Sequence, residues 1–293
     1  MSTDQRKARI SDIFARCVAR AIPPNVAVMQ LLMECEAADE AITLTDIAIA
    51  AAEAPLLWEM RRLCEAHGQA WTTIHAILAG ISHEAPGQSV GSWAADFDRV
   101  AAISPEAAVA LYSLGSAELL AEATDEIIEQ LHSWRLLGPQ RLILDLGCGI
   151  GRLMPGLAAA SGFVIGADIS PRMLGIARAR CFALSKVGFI RFAGKDLSPI
   201  GDRRLDLIVA VDSFPYMALS STSLARHFFE EMARCLTTGA DLVIFNFSYR
   251  GDLARDRNDV SVLAAEAGLV VRRNGTSDLT KWDGVTFHLS KPA

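Results

Sequence analysis

The sequence predicts an α/β protein: a doubly wound, seven-stranded, mostly parallel sheet with its last strand antiparallel, preceded by an all-helical N-terminal domain. Three observations carry this. The hydrophobic period changes near residue 138, from helical spacing to short β-rich runs alternating with helical ones. The run Leu207-Ile208-Val209-Ala210-Val211 is apolar without a break, as a strand must be when helices cover both faces of its sheet. A glycine-rich turn, Gly147-Cys148-Gly149-Ile150-Gly151, sits between the first such run and the helical stretch after it. The expected division is 1–137 helical and 138–293 α/β.

In the helical part, Pro55 opens a run to Gly68 with Leu56, Leu57, Met60, Leu63 and Cys64 on one face. Ala70 to Ile81 continues likewise with Trp71, Ile74, Ile77, Leu78 and Ile81. Thr43 followed three residues later by Asp46 resembles a capping box and predicts a helix start there. Ser104-Pro105-Glu106 sets an N-cap, a first-position proline and an early acid in order. Ser116 opens the last helix, whose stripe of Leu120, Ala123, Ile127, Leu131 and Trp134 runs toward a stop at Gly138-Pro139. These apolar faces must be buried on something. A homodimer through the N-terminal helices is one use for them, and a cover over a substrate site, from Pro105 to Trp134, is another.

From Arg141 onward strands read at Leu142 to Asp145, Phe163 to Asp168, Gly188 to Phe192, Leu205 to Val211, Leu242 to Phe247, Leu269 to Arg273 and Val285 to Leu289. Helices fit at Leu153 to Ala160, Pro171 to Leu184, Leu224 to Leu236 and, with a weaker pattern, Asn258 to Ala267. No helical pattern separates the last two strands, so they pair most simply as an antiparallel hairpin.

Composition narrows the class. Half of the 293 residues are apolar and a fifth charged, and the six cysteines lie far apart with no C-x-x-C pair. Disorder, a disulfide scaffold, and a cysteine metal or redox site are thereby disfavoured. The N-terminus lacks an apolar signal region, and the greasiest stretch, Ala41 to Trp58, is interrupted by Asp46, Glu53 and Pro55. The expectation is a cytoplasmic protein with no membrane partner. Charge is uneven: up to Gln140 there are 9 Lys+Arg against 19 Asp+Glu, and beyond it 19 against 15. The acidic half disfavours nucleic acid, whose binding is largely phosphate neutralisation.

The chemistry starts at Asp145-Leu146-Gly147-Cys148-Gly149-Ile150-Gly151. Alternate glycines let the chain turn tightly and let a ligand approach the backbone, and the following helix directs its first amides at a negative group. Asp168 ends the next strand about 20 residues on, where an acid accepts both hydroxyls of a ribose. The dinucleotide fingerprint G-x-G-x-x-G fails, because Arg152 follows Gly151 and the third glycine comes one residue early.

The pattern instead resembles class I S-adenosylmethionine-dependent methyltransferases. Their first motif, E/D-x-G-x-G-x-G, is matched by Asp145, Gly147, Gly149 and Gly151, with Cys148 between the glycines. Their second acidic site is matched by Asp168 in Val164-Ile165-Gly166-Ala167-Asp168-Ile169-Ser170, with Met173 and Leu174 following. Gly194-Lys195-Asp196-Leu197 supplies the acid after the third strand, and Leu205-Asp206-Leu207-Ile208 resembles the fourth strand. Cys235-Leu236-Thr237-Thr238-Gly239-Ala240 is similar to the turn R-x-L-x-P-G-G, with Thr238 for its proline and Ala240 for its second glycine. The resemblance covers the C-terminal half. It implies S-adenosylmethionine as cofactor and S-adenosylhomocysteine as product, Asp145 helping to hold the ammonium end, Asp168 taking the ribose hydroxyls, and Asp196 with Leu197 at the adenine edge. Ile169 and Met173 complete the cofactor set, and no metal is implied.

Ligands in this fold bind beyond the carboxyl ends of the strands. That selects Asp212-Ser213-Phe214-Pro215-Tyr216 and Asn246-Phe247-Ser248-Tyr249 for the methyl acceptor. Ser213-Phe214-Pro215-Tyr216 faintly resembles the D/N/S-P-P-Y/F motif of amino methyltransferases, with Phe214 where that motif has proline. Asp212 is either a general base for a hydroxyl or a structural acid capping a turn, and Tyr216 a wall of the acceptor site. Among the histidines, His75 beside Trp71 reads as core, His67 as a helix-end cation, and His132 as a candidate to reach an acceptor. The expected activity is methyl transfer to an oxygen or nitrogen of a small molecule. The alternatives are an NAD-dependent oxidoreductase and a noncatalytic binding or assembly module.

Overall fold

The computed structural model describes residues 2–81 and 90–292. Its first stretch holds helices α1 (Thr3–Val18), α2 (Pro24–Glu34), α3 (Ala38–Ala51), α4 (Pro55–Ala66), α5 (Ala70–Gly80), α6 (Val90–Val100), α7 (Pro105–Val109) and α8 (Ala117–Ser133). Compactness divides the chain into two units: Met1–Gly80, Val100–Glu126 and Leu279–Asp283 form the first, and Ile81–Arg99, Ile127–Asp278 and Gly284–Ala293 the second.

In the first unit α2 is apolar nearly all round, with Val26, Ala27, Val28, Leu31 and Leu32 buried, as a helix surrounded by others must be. α1 starts at a full capping box, Ser2 and Gln5 bonding each other's backbone. α4 begins at Pro55 and α7 is capped by Ser104, whose side chain accepts from Ala107 N, both as the sequence predicts; α4 ends at Ala66, with His67 as its C-cap, a little before the expected Gly68. The start expected at Thr43 is corrected. Thr43 lies inside α3, its hydroxyl donating to Asp39 O one turn back, so the Thr-x-x-Asp pattern here is a mid-helix hydroxyl rather than a cap. His75 is a satisfied core residue, with Nε2 3.0 Å from Leu32 O and its ring 4.6 Å from that of Trp71.

The second unit is built on a seven-stranded sheet. Its strands are β1 (Leu142–Leu146), β2 (Phe163–Asp168), β3 (Val187–Arg191), β4 (Leu205–Val211), β5 (Leu236–Phe245), β6 (Val270–Thr276) and β7 (Thr286–Ser290), in the order β3-β2-β1-β4-β5-β7-β6. The pairs from β3 to β5 are parallel, while β7 runs antiparallel to both β5 and β6. The predicted doubly wound sheet and its closing hairpin are therefore present. Helices α9 (Met154–Ala160), α10 (Pro171–Arg180), α11 (Phe214–Ser220), α12 (Thr222–Cys235) and α13 (Leu253–Glu266) complete the unit. Leu207 to Ala210 of β4 are wholly buried, and α12 lays Phe228, Phe229 and Met232 on the sheet's core.

β5 and α11 are among the elements that depart from the sequence reading. β5 begins at Leu236 rather than Leu242. With Thr238 in place of a turn proline, the segment stays extended: Leu236 pairs with Leu205, Gly239 N donates to Lys291 O, and Lys291 N donates to Ala240 O. α11 is absent from the sequence reading because its seven residues are too few for a periodic stripe, and the proline near its start reads equally well as a loop. Strand order reverses between β1 and β4, and the crevice beyond their carboxyl ends is where such a sheet binds ligands.

Candidate active site

The turn after β1 is fixed by its neighbours. Gly147 N and Cys148 N both donate to Ala167 O, at 2.8 and 3.0 Å, and Gly149 N donates to Asp168 Oδ2 at 2.8 Å. Gly147 has φ +75°, and a Cβ added there would meet Ser213 Cβ at 2.2 Å, so glycine is required on both counts. Gly151, at φ +72°, lets the turn close on Ala177 of α10. The Cys148 thiol is buried beside Gly166, and burial pushes it well above its ordinary range, so this side chain packs and only the backbone is left for a ligand.

Two carboxylates end the adjacent strands. Asp145 is buried, and its Oδ2 has no hydrogen-bond partner among the described residues. Burial pushes it up to about 7, with Arg152 opposing the rise and Asp168 adding to it. Asp168, also buried, is pushed up to about 6, chiefly by desolvation, against the N–H groups of Ser170 and Gly149 that its two oxygens accept from. A buried carboxylate oxygen without a donor is costly alone and suits a cationic ligand. Ile169 is half-buried, and Met173 is buried with its N bonded to Ser170 Oγ.

On the β3 side, Gly194 at φ +69° turns the chain toward Asp196, whose Oδ1 accepts from Ser198 N at 3.0 Å; the Ser198 contacts hold the carboxyl below the usual range. Leu197 is buried and its N donates to Glu231 Oε2, a carboxylate that Arg234 grips in turn. This loop is thus anchored to α12.

Beyond β4 and β5 a second cluster forms. Asp212 (φ +53°) and Asn246 (φ +62°) both adopt the left-handed conformation, uncommon for residues with side chains and concentrated at functional sites. Asp212 Oδ1 accepts from Asn246 Nδ2 at 2.8 Å and from Tyr249 Oη at 3.0 Å. Asn246 is itself held by Val285, through N to O at 2.8 Å and Oδ1 from N at 3.0 Å. Burial of the hydroxyls and the nearby Asp212 charge raise the phenols of both Tyr216 and Tyr249. The Tyr216 ring is met edgewise by Tyr249 at 5.9 Å and by Trp93 and Phe97, each at 4.9 Å. Ser213 donates to Leu146 O at 2.6 Å, tying the start of this cluster to the end of β1.

Not every expected site residue joins these clusters. Phe214 is wholly buried against Phe229 and Phe247, and His132 is exposed in the last turn of α8. Sequence reading missed α6 altogether. Besides its two rings on Tyr216, it presents Trp93 Nε1 to Ser220 Oγ at 3.1 Å, and its Asp98 Oδ1 accepts from Ser170 Oγ and Arg172 N. The signal available was the i, i+4, i+7 spacing of Trp93, Phe97 and Val100.

Residues 143–239, from β1 into β5, match the family described as "Methyltransferase domain". The chain carries a class I S-adenosylmethionine-dependent methyltransferase domain. Among curated proteins, the demethylmenaquinone methyltransferase of Tropheryma whipplei (strain Twist) is 36% identical over 107 residues, 36% of this chain and 42% of that protein. Methyltransferase GfsG of Streptomyces halstedii is 30% identical over 154 residues, 52% of each chain. The chain thus spans about half or less of the curated relatives it matches. Among solved structures, Haemonchus contortus phosphoethanolamine N-methyltransferase 1, in complex with phosphoethanolamine and S-adenosylhomocysteine, aligns with TM-score 0.52 at 14% identity, over 70% of this chain and 49% of that one, a likeness of fold. S-Adenosylmethionine is the methyltransferase domain's cofactor, and the donor-less Asp145 Oδ2 beside the glycine turn fits its ammonium group.

Proposed function

We propose that the protein transfers the methyl group of S-adenosylmethionine to an oxygen or nitrogen of a small-molecule acceptor. The observation that carries this reading is the Asp212–Asn246–Tyr249–Tyr216 cluster at the carboxyl ends of β4 and β5, joined to the glycine turn through the Ser213 to Leu146 bond. The names of the demethylmenaquinone methyltransferase relatives add support, since they denote a small acceptor.

Bound, the cofactor supplies an electrophilic methyl group on a sulfonium. The chain's own part is to hold and exclude. Asp145 would accept from the cofactor's ammonium and Asp168 from its ribose hydroxyls, and the Asp196–Leu197 loop would serve its adenine. The rings of Trp93, Phe97 and Tyr216 keep water from the acceptor, which strengthens every electrostatic contact there. Asp212 orients the acceptor rather than deprotonating it: Asn246 and Tyr249 hold its Oδ1 in one position at the end of β4. The helical region, 1–137 in the sequence division, serves as substrate cover, dimer interface or both.

The test is a transfer assay with methyl-labelled S-adenosylmethionine against a panel of small phenols, quinols and amines, alongside calorimetry with S-adenosylhomocysteine. Cofactor binding with labelled product supports the proposal. Failure to bind S-adenosylhomocysteine overturns it, and binding without transfer to any oxygen or nitrogen acceptor favours the noncatalytic alternative.

A further inference from the structure

We infer that the methyl acceptor is a neutral nitrogen nucleophile, such as a ring nitrogen or an aromatic amine, that becomes a cation as it takes the methyl group. The inference rests on the methyl-transfer reading above and narrows its acceptor from oxygen or nitrogen to nitrogen.

The geometry sets a negative charge in an aromatic surround. Asp212 stands just past β4 in the left-handed conformation, its Oδ1 accepting from Asn246 Nδ2 at 2.8 Å and from Tyr249 Oη at 3.0 Å. An amide and a phenol are neutral donors, so these two hold the carboxylate in place without cancelling its charge. Four residues on, the Tyr216 ring meets those of Tyr249 at 5.9 Å and of Trp93 and Phe97 at 4.9 Å each. All six residues belong to the second unit, Trp93 and Phe97 coming from α6. Aromatic rings attract a cation, and more strongly where water is excluded.

Methyl transfer moves a positive charge. The nitrogen lone pair forms the new N–C bond while the C–S bond breaks, its electron pair returning to sulfur as a neutral thioether. The charge that leaves the sulfonium appears on the nitrogen, and a nitrogen that carried hydrogen then releases a proton to water. A fixed carboxylate and aromatic rings at that point stabilise the charge where it develops.

An oxygen acceptor fits the same surround badly, because a hydroxyl must give up its proton to become a strong nucleophile. The two phenols already present show the difficulty: burial, and after it the Asp212 charge, raises both Tyr216 and Tyr249 above their ordinary value. An acceptor hydroxyl beside this carboxylate meets both effects, and its oxyanion would face a like charge. A neutral nitrogen attacks with no proton removed beforehand.

The experiment takes the full chain saturated with S-adenosylhomocysteine and titrates two probes of one shape, N-methylpyridinium and toluene, by calorimetry. The first is the product that a ring-nitrogen acceptor leaves, and the second is its neutral isostere. The cation should bind at least roughly tenfold tighter than toluene. Asp212→Asn should remove most of that preference while S-adenosylhomocysteine affinity stays within a few-fold of wild type, and a melting midpoint within a few degrees of wild type certifies that the variant folds. No saturable binding of the cation, toluene bound as tightly, or an unchanged preference in a folded Asp212→Asn overturns the inference and leaves methyl transfer standing. A second arm offers methyl-labelled S-adenosylmethionine with pyridine and phenol together: label is expected on the nitrogen, and label on phenol alone overturns the inference in the same way. Failure to bind S-adenosylhomocysteine overturns the methyl-transfer reading itself, and this inference with it.

Discussion

Asp98 of α6 is hydrogen-bonded to Ser170, the N-cap of α10, at 2.5 Å, two residues after Asp168. The same carboxylate oxygen takes the N–H of Arg172, so a residue some seventy positions upstream completes the cap of the helix beside the cofactor turn. Negative charge there meets the positive end of the helix dipole. Asp98→Ala should therefore destabilise the protein by about 1 kcal/mol in urea unfolding. It should also weaken S-adenosylhomocysteine binding by several-fold, because the segment that carries Asp168 loosens. An unchanged unfolding midpoint would remove Asp98 from the cap.

Asp168 holds the N–H groups of Gly149 and Ser170 with its two oxygens, and in the proposed function their remaining lone pairs would accept from the ribose. Asp168→Ala should lower S-adenosylhomocysteine affinity by roughly 10- to 150-fold, the equivalent of about 1.5 to 3 kcal/mol in charge-assisted hydrogen bonds. Calorimetry checks this directly. Wild-type affinity in the variant, or tight NADH binding by the wild type, contradicts the cofactor assignment.

The pH dependence follows from Asp145, whose carboxyl burial pushes up to about 7. In the unfolded chain it ionises near its ordinary value, about 3.9, so between these values the folded state binds more protons than the unfolded one. Its contribution to stability is therefore full below the unfolded value and declines as pH rises toward about 7. Ligand binding runs the other way, because an ammonium group prefers the ionised carboxylate. S-Adenosylhomocysteine affinity should rise by roughly tenfold per pH unit below about 7 and level off above it. In Asp145→Asn the slope between about pH 6 and 7 should vanish, leaving only the rise below about 6 that Asp168 contributes, and thermal melts with and without ligand across pH 5 to 8 measure both trends. A flat affinity profile in the wild type contradicts the ammonium assignment.

What the sequence made legible, and what it hid, follows from the range of the interactions involved. β2 and β4 were readable to the residue because short, mostly apolar β-rich runs between turn residues are a local signal. The glycine turn was readable because backbone geometry demands glycine at Gly147 whatever surrounds it. The early start of β5 was not, since it depends on Lys291 pairing from the far end of the chain. Neither was the role of α6: the Trp93 and Phe97 stripe shows only that the helix is amphipathic, and nothing local says that its partner is Tyr216. Asp212 was selected by the strand-end rule, but the two donors on its Oδ1 come from Asn246 and Tyr249 on another loop, and those donors bear on its role.

That role can be separated from cofactor binding. Asp212 follows β4 and Tyr216 lies in α11 just after it, on the far side of the switch point from Asp168, so variants there should leave S-adenosylhomocysteine affinity within a few-fold of wild type. Tyr216→Ala removes the ring that Trp93, Phe97 and Tyr249 pack around, and methyl transfer should fall while binding persists. Asp212→Asn keeps the shape and removes the charge. A general base would make that change cost about 10²- to 10⁴-fold in rate, with the loss shrinking as rising pH ionises the acceptor itself. An orienting carboxylate predicts less than about 10²-fold and no such trend. The second outcome is expected here, since Tyr249 and Asn246 already occupy Asp212 Oδ1. Tyr249→Phe sharpens the comparison: removing one of the two donors on Asp212 Oδ1 loosens the carboxylate, so transfer should fall at every pH while S-adenosylhomocysteine affinity stays within a few-fold of wild type. Wild-type turnover in all three variants would remove this strand end from the acceptor site.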